Sequence, residues 1–409
     1  MQYTSFKIRL EPNNKQATMF SQHSGVARHA YNVGLNYCNE LFKNGEKTPS
    51  SITLHKWLVA TVKKENPWYY SSSKCAPQQA LRNLETAFKN FHKLQKKSGY
   101  TLKDKKGFLK GIPNFKKKGF KDSFYLEGAI RVENSLIKLP KIGWIKCSEV
   151  LPNVNIKNVV VSRKANQWFV SFRAEHNIVK FQKPNKLVGV DLGIKTLATL
   201  SNGEVFENLK PYKNAKNKLR KQQKQVSRRF VKGAKNQSNN YKKSVLQLAK
   251  THARVANVRK DGLHKLTTYL AKNFETVTIE DLKVSNMVKN HNLASAILDG
   301  GFFEFKRQLL YKKQWYGGSI ILANTYFPSS KLCSVCGNKK EILKLSEREY
   351  ACTACSSILD RDLNASKNLE NLAVSSIVTA FGDKSSDVAN ATFQLVCELG
   401  IKHQMFTFV

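Results

Sequence analysis

The sequence predicts an α+β chain of several domains whose later half is an α/β domain of RNase H-like type. Three observations carry this reading. Hydrophobic spacing changes along the chain, first helical, then strand-like, then alternating between the two. Three acidic residues far apart in sequence, Asp191, Glu280 and Asp362, fall in a strand, a strand and a helix start. Two Cys-x-x-Cys pairs lie between the second and third of these acids.

In chain order, Thr4 to Leu10 alternate as a strand does. From Asn13 to Lys97, apolar residues recur at three- and four-residue spacing, as in GVARHAYNVGLNYCNELFK and APQQALRNLETAFKNFHKLQKK, which predicts helices. Lys103 to Lys121 is basic, contains glycines and interleaves aromatics, and reads as loop and strand edge. Strands follow from Ser123 to Glu175, broken by Asn, Gly and Pro. Asn177 to Asn185 reads as a linker. LVGVDLGIKTLATLSNGEVF is a buried strand, a glycine turn and a second strand. Tyr212 to Lys260 holds sixteen Lys or Arg and no acid, and reads as a helical pair broken between Gly233 and Asn240. ETVTIEDL is a strand, Leu293 to Trp315 a helix and SIILANTYF a strand. A last helix starts around Asp362 and runs to Leu372, and residues 373–409 carry no assignable pattern.

Charge bounds the function. The 409 residues contain 69 Lys plus Arg against 29 Asp plus Glu, a formal net charge of +40. Such an excess repels itself and opposes compaction, and a polyanionic partner offsets it by releasing counterions on binding. Hydrophobic residues make up 41% of the chain, enough for large cores. No apolar run is long enough to span a bilayer, and the opening MQYTSFKIRL lacks a secretory signal. The expectation is a cytoplasmic protein of a prokaryote, found at the nucleoid when DNA-bound, with no membrane partner. Of eight cysteines, Cys38, Cys75, Cys147 and Cys397 are scattered, which argues against a disulfide framework.

The other four, Cys333, Cys336, Cys352 and Cys355, form two CxxC knuckles separated by fifteen residues. That spacing places four thiolates around one Zn²⁺, and Gly337 suits the knuckle turn. Four protein ligands leave no open position, so the site is structural. Asp191 sits in the apolar strand VGVDLG, where an acid is costly unless paired or bound to a cation. Glu280 closes the apolar run TVTIE, and Asp362 lies in LDRDLNASKNL. Taken singly, each has an ordinary role: a turn, a solvated strand end, a helix cap. Together they form an oxygen-ligand set for Mg²⁺, and two such ions about 3.5–4 Å apart can hydrolyse a phosphodiester.

The segments GVDLGIKTLATLSNG, IEDLKVSNMVKNHNLASAI, PSSKLCSVCG, CTAC and DRDLNASKNL resemble the TnpB family in order and spacing. QQALRNLETAFKNFHK, PNFKKKGFKDSF and IKLPKIGWIK are similar to it as well, so the resemblance covers roughly residues 1–372. TnpB proteins are transposon-encoded relatives of type V CRISPR effectors. The resemblance implies a β-barrel wedge domain (1–12 and 103–180) holding a helical recognition domain (13–102). It implies a RuvC-like nuclease domain (185–330 and 357–372) interrupted by a zinc ribbon (331–356), with 373–409 a tail of unassigned role. It implies RNA-guided cleavage of double-stranded DNA beside a short adjacent motif, with a guide RNA made from the transposon end and no required protein oligomer. Asp191, Glu280 and Asp362 match the family's three catalytic, metal-ligating acids. Asp360 rivals Asp362 on physical grounds, and the D-x-N-A match with Asn364 and Ala365 selects Asp362.

The departures from the family pattern are small. Gly262 stands where a larger apolar residue is usual, and would loosen its helix by about 1 kcal/mol relative to Ala. Ser366 replaces a common Ala. The basic runs Lys105–Lys121 and Lys213–Lys260 are candidates for guide RNA or heteroduplex contacts. Phe115, Phe120 and Tyr125 are candidates for base stacking, although each alone more often packs a domain edge. Two competing activities share this architecture: a nuclease-dead guided repressor, which should have lost an acid, and a strand-joining transposase, which also uses an acidic triad.

Overall fold

The computed structural model describes residues 2–98, 110–119, 121–176, 182–234, 236–344 and 347–382, the last seven as backbone only. Phe120, all of 103–109, the first five residues of the 177–185 linker and the tail beyond 382 lie outside the described residues. The chain forms two compact units, 1–177 and 178–409.

The first unit opens with β1 (Gln2–Glu11), then leaves for the helices α1 (Asn14–Lys43), α2 (Ser51–Ala60), α3 (Val62–Glu65) and α4 (Cys75–Ser98). It returns as β2 (Ser123–Glu127), β3 (Arg131–Glu133), β4 (Leu136–Leu139), β5 (Gly143–Cys147), β6 (Asn158–Lys164) and β7 (Gln167–His176). Asn13 starts α1 with a capping box: its side chain accepts from the Gln16 amide, and Gln16 reaches back to the Asn13 amide. Gly34 lets α4 lie close, since a Cβ there would meet Leu81 Cδ2 at 2.8 Å. The seven strands form one antiparallel sheet, ordered β2-β6-β7-β1-β5-β4-β3. Ile8, Leu10, Val159, Val161, Val170 and Phe172 alternate onto one buried face, where Phe20 of α1 stacks edge-on against Trp168. No pairing joins the end strands β2 and β3 among the described residues. Residues 110–119 are irregular, so the strand edge expected there is absent from them.

The second unit contains β8 (Asn185–Leu192), β9 (Thr196–Leu200), β10 (Val205–Glu207), α5 (Pro211–Arg229), α6 (Asn239–Asn273) and β11 (Phe274–Glu280). There follow α7 (Val284–Met287), α8 (His291–Gly300), α9 (Phe302–Tyr316), β12 (Ser319–Ala323), β13 (Glu349–Ala351), β14 (Ile358–Asp360) and α10 (Arg361–Gly382). The sheet order is β10-β9-β8-β11-β12, with β10, β9 and β8 antiparallel and β8, β11 and β12 parallel. Val188, Val190, Val277 and Ile279 pack against Leu263, Leu266, Leu270, Phe305 and Leu309 of α6 and α9.

Several boundaries differ from the sequence reading. The helix expected over Leu293–Trp315 breaks at Gly301, whose φ of +71° ends α8 in a left-handed cap. The strand of SIILANTYF stops at Ala323 because Asn324 turns the chain, accepting the Tyr326 and Phe327 amides. The last helix continues to Gly382, so residues 373–382 of the unassigned tail are helical. Gly262 does not interrupt α6. Its missing Cβ makes room for Leu209, whose Cδ1 would lie 3.0 Å from a methyl there. No helix is long and apolar enough to cross a membrane among the described residues.

Candidate active site and metal centre

Asp191 lies near the end of β8, the middle strand of the sheet, and faces Thr199 of β9 in register. On its other side β8 runs parallel to β11, with Val190 beside Ile279. One residue further along, Asp191 and Glu280 therefore end adjacent parallel strands on the same face. The third acid arrives by helix packing. A Cβ on Gly189 would lie 1.9 Å from the Ser366 carbonyl oxygen and 2.6 Å from the Glu370 amide, so α10 crosses β8 against bare backbone. Asp191 is two strand residues beyond Gly189, about 6.6 Å, and shares its face. Asp362 is four helix residues before Ser366, about 6 Å. The two steps match, and the three acids converge.

Electrostatics record the convergence. Partial burial, then the Glu280 and Asp362 carboxylates, push the Asp191 carboxyl up to about 8, with Arg361 opposing. Neighbouring acids are otherwise engaged. Asp281 pairs with Lys306 at 2.6 Å and Lys283 at 2.8 Å, which hold its carboxyl below the usual range. Asp360 is the helix cap: its Oδ1 accepts the amides of Asp362 at 2.9 Å and Leu363 at 3.0 Å. Thus Asp360, not Asp362, takes the capping role. The three acids do not share a single tight centre. Among the described residues, the four cysteines alone bring their ligand atoms within 4.8 Å of one another. A set of carboxylate oxygen donors suits hard divalent cations.

The cysteines are organised locally. Cys333 and Cys355 Sγ lie 3.6 Å apart, as do those of Cys336 and Cys352. Thiolates about 2.3 Å from a tetrahedral zinc ion lie about 3.8 Å apart, so the set fits Zn²⁺. Each knuckle is closed by a residue in the left-handed region, Gly337 (φ +75°) and Ser356 (φ +57°). The Gly337 amide donates to the Cys333 carbonyl, and the amides of Cys333 and Cys352 donate to Asn338 and Ser357. Burial pushes the Cys333 thiol up, but the Ser357 hydroxyl and the amides of Cys336 and Val335 outweigh it and leave the thiol at about 6, favouring thiolate. Tyr350 is buried beneath, donating to the Lys331 carbonyl at 3.0 Å.

Several contacts here escaped the sequence reading, which named Asn364 only as part of the D-x-N-A match. Asn364, Asn368 and Asn371 follow i, i+4, i+7 spacing on one face of α10 and bond the first knuckle. Asn364 accepts from the Ser334 amide at 2.9 Å and donates to the Leu332 carbonyl at 2.6 Å. Asn368 donates to the carbonyls of Ser329 and Leu332, both at 2.7 Å, and Asn371 to that of Ser334 at 3.1 Å. The Ser329 hydroxyl in turn donates to Glu280 Oε1 at 2.5 Å. The helical spacing of the asparagines was the available signal. Nothing in PSSKLC reveals the Glu280 contact.

The basic run forms an exposed helical pair. Lys213, Lys216, Lys218, Arg220, Lys221 and Lys224 of α5 all face solvent. Its root is fixed by buried Asp299, which accepts the Tyr212 and Lys213 amides at the start of α5 and pairs with Arg259 of α6 at 2.7 Å. Phe115 is exposed, whereas the Tyr125 hydroxyl donates to Glu127 on the edge strand β2.

Carboxylates converging on a mixed five-stranded sheet, with a thiolate cluster tied to α10, define a candidate metal-binding class of protein. The comparisons place the chain in a family. The family described as "Probable transposase" (OrfB_IS605) matches residues 170–291. A "Cas12f1-like, TNB domain" matches 302–369 and a "Helix-turn-helix domain" 1–47. The last description does not fit the fold, since residues 2–47 here are one strand and one long helix. The chain is 33% identical, over 93% of its length and 94% of the relative's, to "Putative RNA-guided DNA endonuclease InsQ" of Escherichia coli K12. It is 36% identical, over 93% and 91%, to a protein of Streptomyces pristinaespiralis with the same description. The solved "Cas12f1-sgRNA-target DNA complex" shares its fold at a TM-score of 0.53, with 15% identity over 88% of this chain and 83% of that one. The chain belongs to the TnpB (OrfB_IS605) family.

Proposed function

We propose that this protein is a transposon-associated, RNA-guided DNA endonuclease that hydrolyses target phosphodiesters at Asp191, Glu280 and Asp362. The observation that carries the site assignment is the meeting of these acids at two adjacent strand ends and one helix start, in a family whose relatives are described as RNA-guided DNA endonucleases. The strand order, three antiparallel then two parallel, supports the RNase H-like (RuvC) reading of this unit. On this reading, β1 with β2 to β7 is the wedge domain and α1 to α4 the recognition domain set into it. The hairpins bearing Cys333, Cys336, Cys352 and Cys355 form a zinc ribbon within the nuclease domain.

All three acids would ligate two Mg²⁺ ions, which when bound activate water and stabilise the leaving oxygen. The protein's part is to hold the three carboxylates on one face, with Asp281 and Asp360 occupied elsewhere. One Zn²⁺ would hold the ribbon together. The partners are a guide RNA from the transposon end and double-stranded target DNA. The exposed α5–α6 pair supplies phosphate contacts that read backbone and A-form shape rather than sequence.

The test is cleavage by protein purified with its co-expressed RNA, on a plasmid library with the matched target beside randomised sequence. Mg²⁺-dependent cuts at one flanking motif are expected. Asp191→Ala should lose cleavage by about 10³-fold or more while retaining guided binding, because an interaction used only in the transition state is removed. Guided binding by the wild type without any cut would instead mark a repressor. Joining of transposon ends without RNA, the activity that the description "Probable transposase" favours, would replace the proposal.

A further inference from the structure

A carboxylate that ligates a metal must be aimed as well as present, and Glu280 stands at the last position of its strand, where β11 gives way to a loop. Its backbone is set by the ladder to Ala323. The group that meets it there is Ser329, nearly fully buried, whose hydroxyl donates to Oε1 at 2.5 Å, the length of a charge-assisted hydrogen bond. Ser329 is itself immobilised. Its amide donates to the Phe327 carbonyl at 2.9 Å, and its carbonyl accepts from Asn368 at 2.7 Å. The same Asn368 amide holds the Leu332 carbonyl, next to Cys333, and Asn368 belongs to the helix whose first turn carries Asp362.

We infer that Ser329 is a positioning residue for the hydrolytic site, and that the first cysteine knuckle, through Leu332 and Asn368, fixes the hydroxyl that aims Glu280 toward Asp191 and Asp362. The inference rests on the three acids being the metal site. One Glu280 oxygen is committed to Ser329 and the other is left to ligate. The thiolate cluster is then more than a staple. It sets Glu280 through Ser329 and Asp362 through the asparagine face of α10, so two of the three ligands are referenced to one rigid knuckle. A residue that orients a metal ligand by hydrogen bonding commonly contributes about 10–100-fold in metal affinity or activity.

The experiment compares Ser329→Ala, Ser329→Thr and Ser329→Cys with wild type and Asp191→Ala, each as the RNA-bound protein. Single-turnover cleavage is measured against Mg²⁺ concentration, and Mn²⁺ binding is measured separately by electron paramagnetic resonance without DNA. For Ser329→Ala the expected result is a 10–100-fold slower cut, a several-fold higher Mg²⁺ requirement and weaker Mn²⁺ binding. Target affinity and the zinc content should stay unchanged. Ser329→Thr, which keeps the hydroxyl, should recover most of the rate. Should Ser329→Ala lose zinc or fail to fold, Ser329→Cys, close in size with a far weaker donor, is read by the same criteria. A wild-type Mg²⁺ requirement and Mn²⁺ affinity in the folded Ala or Cys variant, with Asp191→Ala inactive, would overturn the inference. Cleavage that survives Asp191→Ala would overturn the underlying site assignment instead.

Discussion

Two clusters of ligand-type side chains lie in the second unit, and they are assembled in opposite ways. The four cysteines sit on two short hairpins, with left-handed turns at Gly337 and Ser356 and backbone amides aimed at sulfur. Their sulfurs already stand at nearly the separation a tetrahedral ion requires. The three acids come from two strands and a distant helix, repel one another and stand wider apart. The thiolate site is built by local turns and is closed. The acidic set is built by packing across the sheet and α10. The contrast teaches that the cysteine cluster is specified within two short hairpins, whereas the three acids meet only where α10 docks on β8.

The sharpest way to break the comparison is at the docking point. Gly189→Val should destabilise the second unit by about 3 kcal/mol or more, because the clash is with helix backbone that cannot move aside. Thermal melts should show it, and cleavage should vanish while zinc stays bound. Survival of cleavage would mean that α10 does not dock as closely as described. Next, Cys352→Ser should remove the bound zinc and lower the melting temperature of the unit, read by metal analysis and calorimetry. An unchanged zinc content would show that the thiolate cluster is not the metal centre.

Asp191→Asn separates stability from function. In the folded chain the Asp191 carboxyl is raised to about 8, above its ordinary value of 3.8. The folded form therefore holds a proton that the unfolded form has lost, and the wild type loses stability as pH rises between those values. Asn, which does not ionise, should raise the melting temperature in Mg²⁺-free buffer, with no gain near pH 4 and the largest gain at pH 8 and above. A gain that is flat with pH would show that burial and the neighbouring acids do not raise the Asp191 carboxyl. The smallest effect is expected at Ser356. Its φ of +57° is strained for a residue with a Cβ, so Ser356→Gly should stabilise the second knuckle by up to about 1 kcal/mol, provided zinc binding is unaffected.

Much of this was legible in the residues themselves. The period of two from Ser123 to Glu175 and the helical spacing of α1 and α4 are local patterns, and they appear as strands and helices. The break at Gly301 was missed because Leu293 to Trp315 keeps its apolar spacing across it, and one positive φ is invisible to periodicity. Asp360 and Asp362 look alike to physical chemistry in the sequence, and the D-x-N-A resemblance is what selects Asp362. The structure adds that Asp281 is paired with Lys306 and that Asp360 accepts two helix amides.

What the sequence by itself determined is therefore composition-borne and local: the excess of basic charge, the two CxxC knuckles, and a candidate set of three acids. Tertiary structure alone decided that Gly189 is a helix-docking point, that Asp299 anchors the basic helical pair, and that Ser329 reaches Glu280. The physical reason is sequence separation. A CxxC turn is specified within a few residues. A contact between Gly189 and Ser366, or between Ser329 and Glu280, is specified only by the packing of a whole sheet and helix, and leaves no periodic trace in the chain.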